Sequence, residues 1–129
     1  MSEENKALVR GFYDDINRGA VDAFMAKLAD DFVEHEAFPG VPPTKHGVGM
    51  LFEQLRKAFS GFQMNVEAIA SEGDMVIVRL TMTGTHVGEF MGIPPSGKEV
   101  RVPVCDWTRV RGGKAVEHWG VTDTSALMA

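Results

Sequence analysis

The chain has 129 residues, 44% hydrophobic and 24% charged, with a formal net charge of -5. That size suits one domain, residues 1–129, with a core of its own. The acidic balance argues against nucleic acid, because a phosphate backbone rewards clustered Lys and Arg. No apolar run approaches the roughly 20 residues needed to cross a bilayer, and Met1-Ser2-Glu3-Glu4 does not read as a signal peptide. The single Cys105 fits a reducing cytoplasm, so a cytoplasmic protein with no membrane partner is expected.

In chain order, Ser2 with Glu3 and Glu4 makes a helix start, an oxygen cap followed by acids in the first turn. Leu8, Phe12 and Ile16 follow at i, i+4 and i+8 with Val9 and Tyr13 beside them, and Gly19 ends the helix. Asp22 is expected to cap a short second helix with Phe24, Met25 and Leu28 on its apolar side, stopped at Asp30-Asp31. From Phe32 to His46 the pattern gives a short extended piece and a stiff Pro/Gly-rich loop suited to a rim. A third helix is predicted from Gly47 to Phe59, presenting Met50, Leu51, Leu55 and Ala58, with Ser60-Gly61 as its stop.

The period then changes from about 3.6 to 2. Phe62 to Ser71 alternates, Glu72-Gly73-Asp74 turns, and the next strand carries Val76, Val78, Leu80, Met82, Gly84 and His86 on one face. A further strand sets Val100, Val102, Val104, Asp106, Thr108 and Val110 against Arg101, Cys105, Trp107 and Arg109. Three helices before a long meander is an α+β order: helices packed on a curved, mostly antiparallel sheet around a cone-shaped cavity. The face with Cys105, Trp107 and Arg109 is too apolar to be wholly wet, so a homodimer or higher homo-oligomer through the sheet is expected.

Asp106 shares the most apolar face of its strand, where an ionised carboxylate is costly unless paired. Such an acid is expected to have a raised pKa and to exchange protons with a substrate. For its neighbour, a three-residue Arg111-Gly112-Gly113 loop keeps Val116 on the Val102/Val104 face and sets His118 opposite Asp106. The two are then cross-strand neighbours within hydrogen-bonding range, an acid orienting an imidazole. Tyr13 flanks the apolar stripe of the first helix, His86 prolongs an apolar face to the cavity mouth, and His35 stands between Glu34 and Glu36. With Phe90 and Trp119 these are the expected substrate contacts. The four histidines lack metal-ligand spacing, and there is no G-x-G-x-x-G opening a helix, P-loop or G-x-S-x-G, so no metal or cofactor is expected.

The stretch Gly84-Thr-His-Val-Gly-Glu-Phe-Met-Gly-Ile-Pro-Pro-Ser-Gly-Lys98, followed by Asp106-Trp-Thr-Arg-Val-Arg-Gly-Gly-Lys-Ala-Val-Glu-His-Trp119, closely resembles the SnoaL-like polyketide cyclases (ester cyclases) of the NTF2-like superfamily. The resemblance implies a cone-shaped α+β barrel, usually oligomeric and free of cofactor. It also implies ring closure by intramolecular aldol condensation of a polyketide ester, a pocket carboxylic acid serving as general acid/base. One position departs. Relatives carry the acting aspartate two residues after the histidine matching His118, where this chain has Gly120. The expected function is therefore cofactor-independent acid/base chemistry on a small apolar carbonyl compound, by cyclisation or isomerisation, with Asp106 and His118 catalytic. The alternative is a non-catalytic protein that binds an apolar ligand, a reading that Gly120 favours. Epoxide hydrolysis through an Asp-Arg-Asp arrangement would need Arg79, which falls on the opposite face from Val78 and Leu80.

Overall fold

The computed structural model describes residues 2–36 and 38–127, with the side chains of Ser2 and Leu127 outside the description, so the expected Ser2 cap is not among the described groups. Helix α1 spans Ser2–Asn17, α2 Val21–Ala26 and α3 Lys45–Ala58; the strands are β1 Leu28–Glu34, β2 Phe59–Glu72, β3 Met75–His86, β4 Glu99–Arg111 and β5 Lys114–Thr122. A 3₁₀ turn, Thr124–Leu127, follows. Among the described residues no helix is long and apolar enough to cross a membrane.

The strands form one sheet in the order β1-β5-β4-β3-β2, antiparallel throughout except for the β1–β5 pair. Its two edges, β1 and β2, do not meet, so the barrel implied by the family resemblance is an open, curved half-cone. The helices cover its inner face. Val9, Phe12, Tyr13 and Ile16 of α1 are buried against inward residues of β3 and β4 such as Val78, Leu80, Val102 and Val104. The Asn17 side chain fastens the end of α1 to β2, accepting from the Met64 N–H at 2.7 Å and donating to the Met64 carbonyl at 3.0 Å.

Three local expectations change. Leu28 is not the last turn of α2 but the first residue of β1, and Asp30-Asp31 lie inside that strand. Its parallel place beside β5 outweighs the helical spacing of Phe24, Met25 and Leu28. The α2 cap is Ala20, not Asp22, whereas Thr44 caps α3 by accepting the Gly47 N–H at 3.2 Å. Ser60-Gly61 do not interrupt the chain: α3 runs directly into β2, and the pairing with β3 is irregular between Ser60 and Gln63.

The β4–β5 hairpin also differs, and this bears on the site. Its turn is the two-residue Gly112-Gly113, with φ of 57° and 75°, closing Arg111 against Lys114. Two successive left-handed residues are what a tight hairpin with native twist demands, and glycine meets that demand without strain. Val110 then pairs with Ala115 but Arg109 with Glu117, leaving Val116 as a bulge. Asp106 therefore stands opposite Gly120, and His118 opposite Thr108. The burial argument for a longer loop fails because Ala115, fully buried, fills the core position while Val116 is half-buried.

Candidate active site

The half-cone encloses a cavity of about 220 Å³. Its walls are apolar, built from side chains such as Phe12, Phe24, Leu55, Met82, Val102 and Phe90. It opens where Phe38, Phe52, Met91 and Ile93 remain partly exposed. The polar groups gather in one place, where β1, β4 and β5 lie side by side.

Alternation delivers them there. Along β1 and its continuation, Phe32 is buried, so Glu34 and Glu36 share its inward side. Along β4 the inward set of Val102 and Val104 continues into Asp106, and along β5 His118 and Thr122 point inward on either side of Gly120. Although His118 is not directly opposite Asp106, it is the diagonal neighbour on the same face, and its Nε2 lies 2.8 Å from Asp106 Oδ1. Its Nδ1 lies 2.5 Å from Glu34 Oε2. Both ring nitrogens thus face acceptor-only carboxylates, which requires an imidazolium donating from each. Burial opposes that charge, but the negative charges and hydrogen bonds of Asp106 and Glu34 prevail and raise the His118 pKa to about 10.

The other oxygen of Asp106 accepts from the Tyr13 hydroxyl at 2.7 Å. Burial, then the charge of Asp106 and the hydrogen bond to it, push the Tyr13 phenol well above its ordinary value, so it remains a donor. Asp106 is buried, yet its surroundings are not the bare apolar pocket expected: a donor meets each carboxylate oxygen.

Glu36 completes the cluster. Its Oε2 accepts from the Thr122 hydroxyl at 2.7 Å, and its backbone N–H donates to Glu34 Oε2 at 3.1 Å. Burial raises its carboxyl pKa, with Asp106 and Glu34 adding to the rise against the Thr122 hydrogen bond and the His118 charge. Ligand atoms of Glu36, Asp106 and His118 lie within 4.8 Å of one another, the one such group among the described residues. A divalent cation could bind His118 there only by displacing one of its two carboxylate hydrogen bonds, since both imidazole nitrogens are engaged.

The other expected contacts divide. Phe90 lines the cavity and meets Phe59 edge-on. His86 does not reach the mouth: it is 1% exposed, stacked on Phe59 with centroids 4.8 Å apart, and both its ring nitrogens lack a hydrogen-bond partner among the described residues. His35 and Trp119 lie on the outer side of the sheet, stacked on each other at 4.7 Å, with His35 also bonded to Glu117 at 3.0 Å. Arg79 is outside too, beside Glu67.

Sequence reasoning missed Glu34 and Glu36. Two signals pointed to them: Phe32 fixes which residues of Phe32-Val33-Glu34-His35-Glu36 face inward, and a glycine inside a strand marks close approach by another group. A Cβ at Gly120 would lie 2.9 Å from Glu36 Cδ and 2.9 Å from His118 Cε1.

The family model for SnoaL-like polyketide cyclase matches residues 7–129. A search among curated proteins finds no match. Among solved structures, AclR from Streptomyces galilaeus, a proposed hydroxylase, is 33% identical, with a TM-score of 0.88 over 99% of this chain and 80% of its own. IdmH from Streptomyces antibioticus, a proposed polyketide cyclase, is 30% identical, with a TM-score of 0.83 over 96% of this chain and 95% of its own. TsrD from Streptomyces laurentii, 22% identical, shares the fold with a TM-score of 0.87 over 97% of this chain and 92% of its own. With the family model spanning nearly the whole chain, the protein belongs to the SnoaL-like polyketide cyclase family.

Proposed function

We propose that this protein is an enzyme that moves protons beside a carbonyl of an apolar substrate, as in polyketide-ester cyclisation or isomerisation, without a cofactor. One observation carries the reading: an ionic cluster, Glu34–His118–Asp106–Tyr13, sits at one end of an otherwise hydrophobic cavity. A cavity that only stores an apolar ligand gains nothing from buried charges, which are costly to desolvate. An acid/base reaction uses them, because fixed charges in a dry site stabilise an enolate or alkoxide as it forms. Membership of the cyclase family supports a cyclase-type role. Asp106 and His118 form the centre, Tyr13 holds Asp106 in place, and Phe90 packs against the substrate.

The test is ring closure of a methyl ester whose activated methylene can reach a ketone of the same molecule to form a six-membered ring. The wild-type chain should convert it, and Asp106→Asn should lower turnover by about 100-fold or more. Unchanged turnover in Asp106→Asn would remove Asp106 from the mechanism. An ester that binds and is released unaltered would favour the storage reading.

A further inference from the structure

We infer that Glu36 is the group that carries the substrate proton, reaching from the end of β1 into the space that a side chain at position 120 would fill. The inference rests on the proton-transfer reading above and names the residue that executes it.

Gly120 lies in the ordinary β5 ladder opposite Asp106 and is not one of the left-handed glycines, so its backbone does not require glycine. What requires it is the crowding of that volume by two side chains, the Glu36 carboxyl and the edge of the His118 ring. Hydrogen bonding sets Glu36 apart from its neighbours. Asp106 spends one oxygen on His118 and the other on Tyr13, and Glu34 Oε2 receives both His118 and the Glu36 N–H. Glu36 holds only the neutral Thr122 hydroxyl, on Oε2; like Glu34 Oε1, its Oε1 accepts no hydrogen bond among the described residues, but Glu34 is tied to the His118 cation and Glu36 is not. Charge points the same way. Three carboxyls, Glu34 of β1, Glu36 just beyond it and Asp106 of β4, face a single cation, His118 from β5, and both donors of that cation are already assigned. Glu36 is the carboxyl left to change protonation state, and burial favours its neutral form.

In the step, Glu36 carboxylate takes the proton from the carbon between ester and ketone groups, and the C–H electron pair enters the enolate. The enolate carbon bonds to the second carbonyl carbon, whose π pair becomes an alkoxide. That oxygen takes the proton back from Glu36, so no atom or electron is gained or lost.

Glu36→Gln should cut turnover of the diketo ester at least about 100-fold with the thermal midpoint little changed. Gly120→Ala, whose Cβ would crowd both the Glu36 carboxyl and the His118 ring, should also lower turnover. Glu36→Ala combined with Gly120→Asp should regain at least tenfold over Glu36→Ala alone. A second measurement does not depend on turnover: binding of 2-naphthol, a planar enol analogue, followed by fluorescence between about pH 4 and 8. Wild-type affinity should follow one ionisation and Glu36→Gln should be flat. If the wild-type chain converts none of the ester, the proton-transfer reading fails and the naphthol titration alone decides on Glu36. Turnover retained in Glu36→Gln, or a naphthol titration that the substitution leaves unaltered, would overturn the inference.

Discussion

Two histidine–carboxylate clusters flank β5, and they face opposite ways. On the inner side His118 lies between Asp106 and Glu34, whose side chains are 9% and 11% exposed. On the outer side His35 meets Glu117, with side chains 37% and 32% exposed, and Glu117 also receives Arg109 at 3.1 Å. Residue types and distances are much alike. Surroundings are not. The outer groups exchange partners with water at little cost, so their contacts add little to stability. The inner groups are largely shielded from water, so each depends on the others for its charge. A histidine next to an acid in sequence therefore says nothing about chemistry until its face is known.

The most severe way to break that contrast is Asp106→Leu, which leaves the His118 cation without its principal counter-charge and the Tyr13 hydroxyl without an acceptor. Removing one member of a buried pair costs about 3–5 kcal/mol. Thermal unfolding should fall by about 10 °C or more for a chain of this size. A loss of only a degree or two would mean that the inner cluster is as solvent-relieved as the outer one.

Next in size is a pH effect confined to the inner pair. The His118 ring has a pKa of about 10 in the folded chain against an ordinary 6.5, so folding strengthens its hold on the proton. That stabilisation is complete below the unfolded value, declines as pH rises above it, and is gone beyond the folded value. The thermal midpoint of the wild-type chain should therefore drop between about pH 7 and 10, and His118→Gln should show a distinctly shallower drop. Parallel profiles for the two proteins would contradict an imidazolium at this position.

How far the sequence discloses this contrast depends on which signals are local. The helices and the period-2 strands were legible because burial imposes their spacing, and Asp106 stood out because its face is otherwise valine. The hairpin register was not, because a bulge at Val116 depends on how Ala115 packs in the finished core. Even so, Asp106 and His118 meet, since a bulge that shifts the opposite partner still left them diagonal on one face. Glu36 was hidden for another reason. It belongs to a loop in sequence, and only the parallel pairing of β1 with β5, a contact between distant segments, brings it to Gly120. His86 misled in the opposite direction: its strand position gives the inward face correctly, but inward there means the Phe59 side of the core and not the cavity.

The mildest substitution gives the sharpest check on the assignment of faces. His35→Ala removes the stack on Trp119 and the contact with Glu117, both on the outer surface. Glu117 keeps Arg109, and Arg109 keeps Asp74 at 2.7 Å, so no charge is left stranded. The thermal midpoint should stay within about 2 °C of wild type. Turnover of the diketo ester and affinity for 2-naphthol should be unchanged, because the ring lies on the far side of the sheet from the cavity. Had the side chain of residue 35 pointed inward, those of 34 and 36 would point outward, and His118 would lose Glu34 while Gly120 lost Glu36. A fall in turnover comparable to that of Asp106→Asn would thus overturn the orientation of the whole β1 end, and with it the placement of both glutamates.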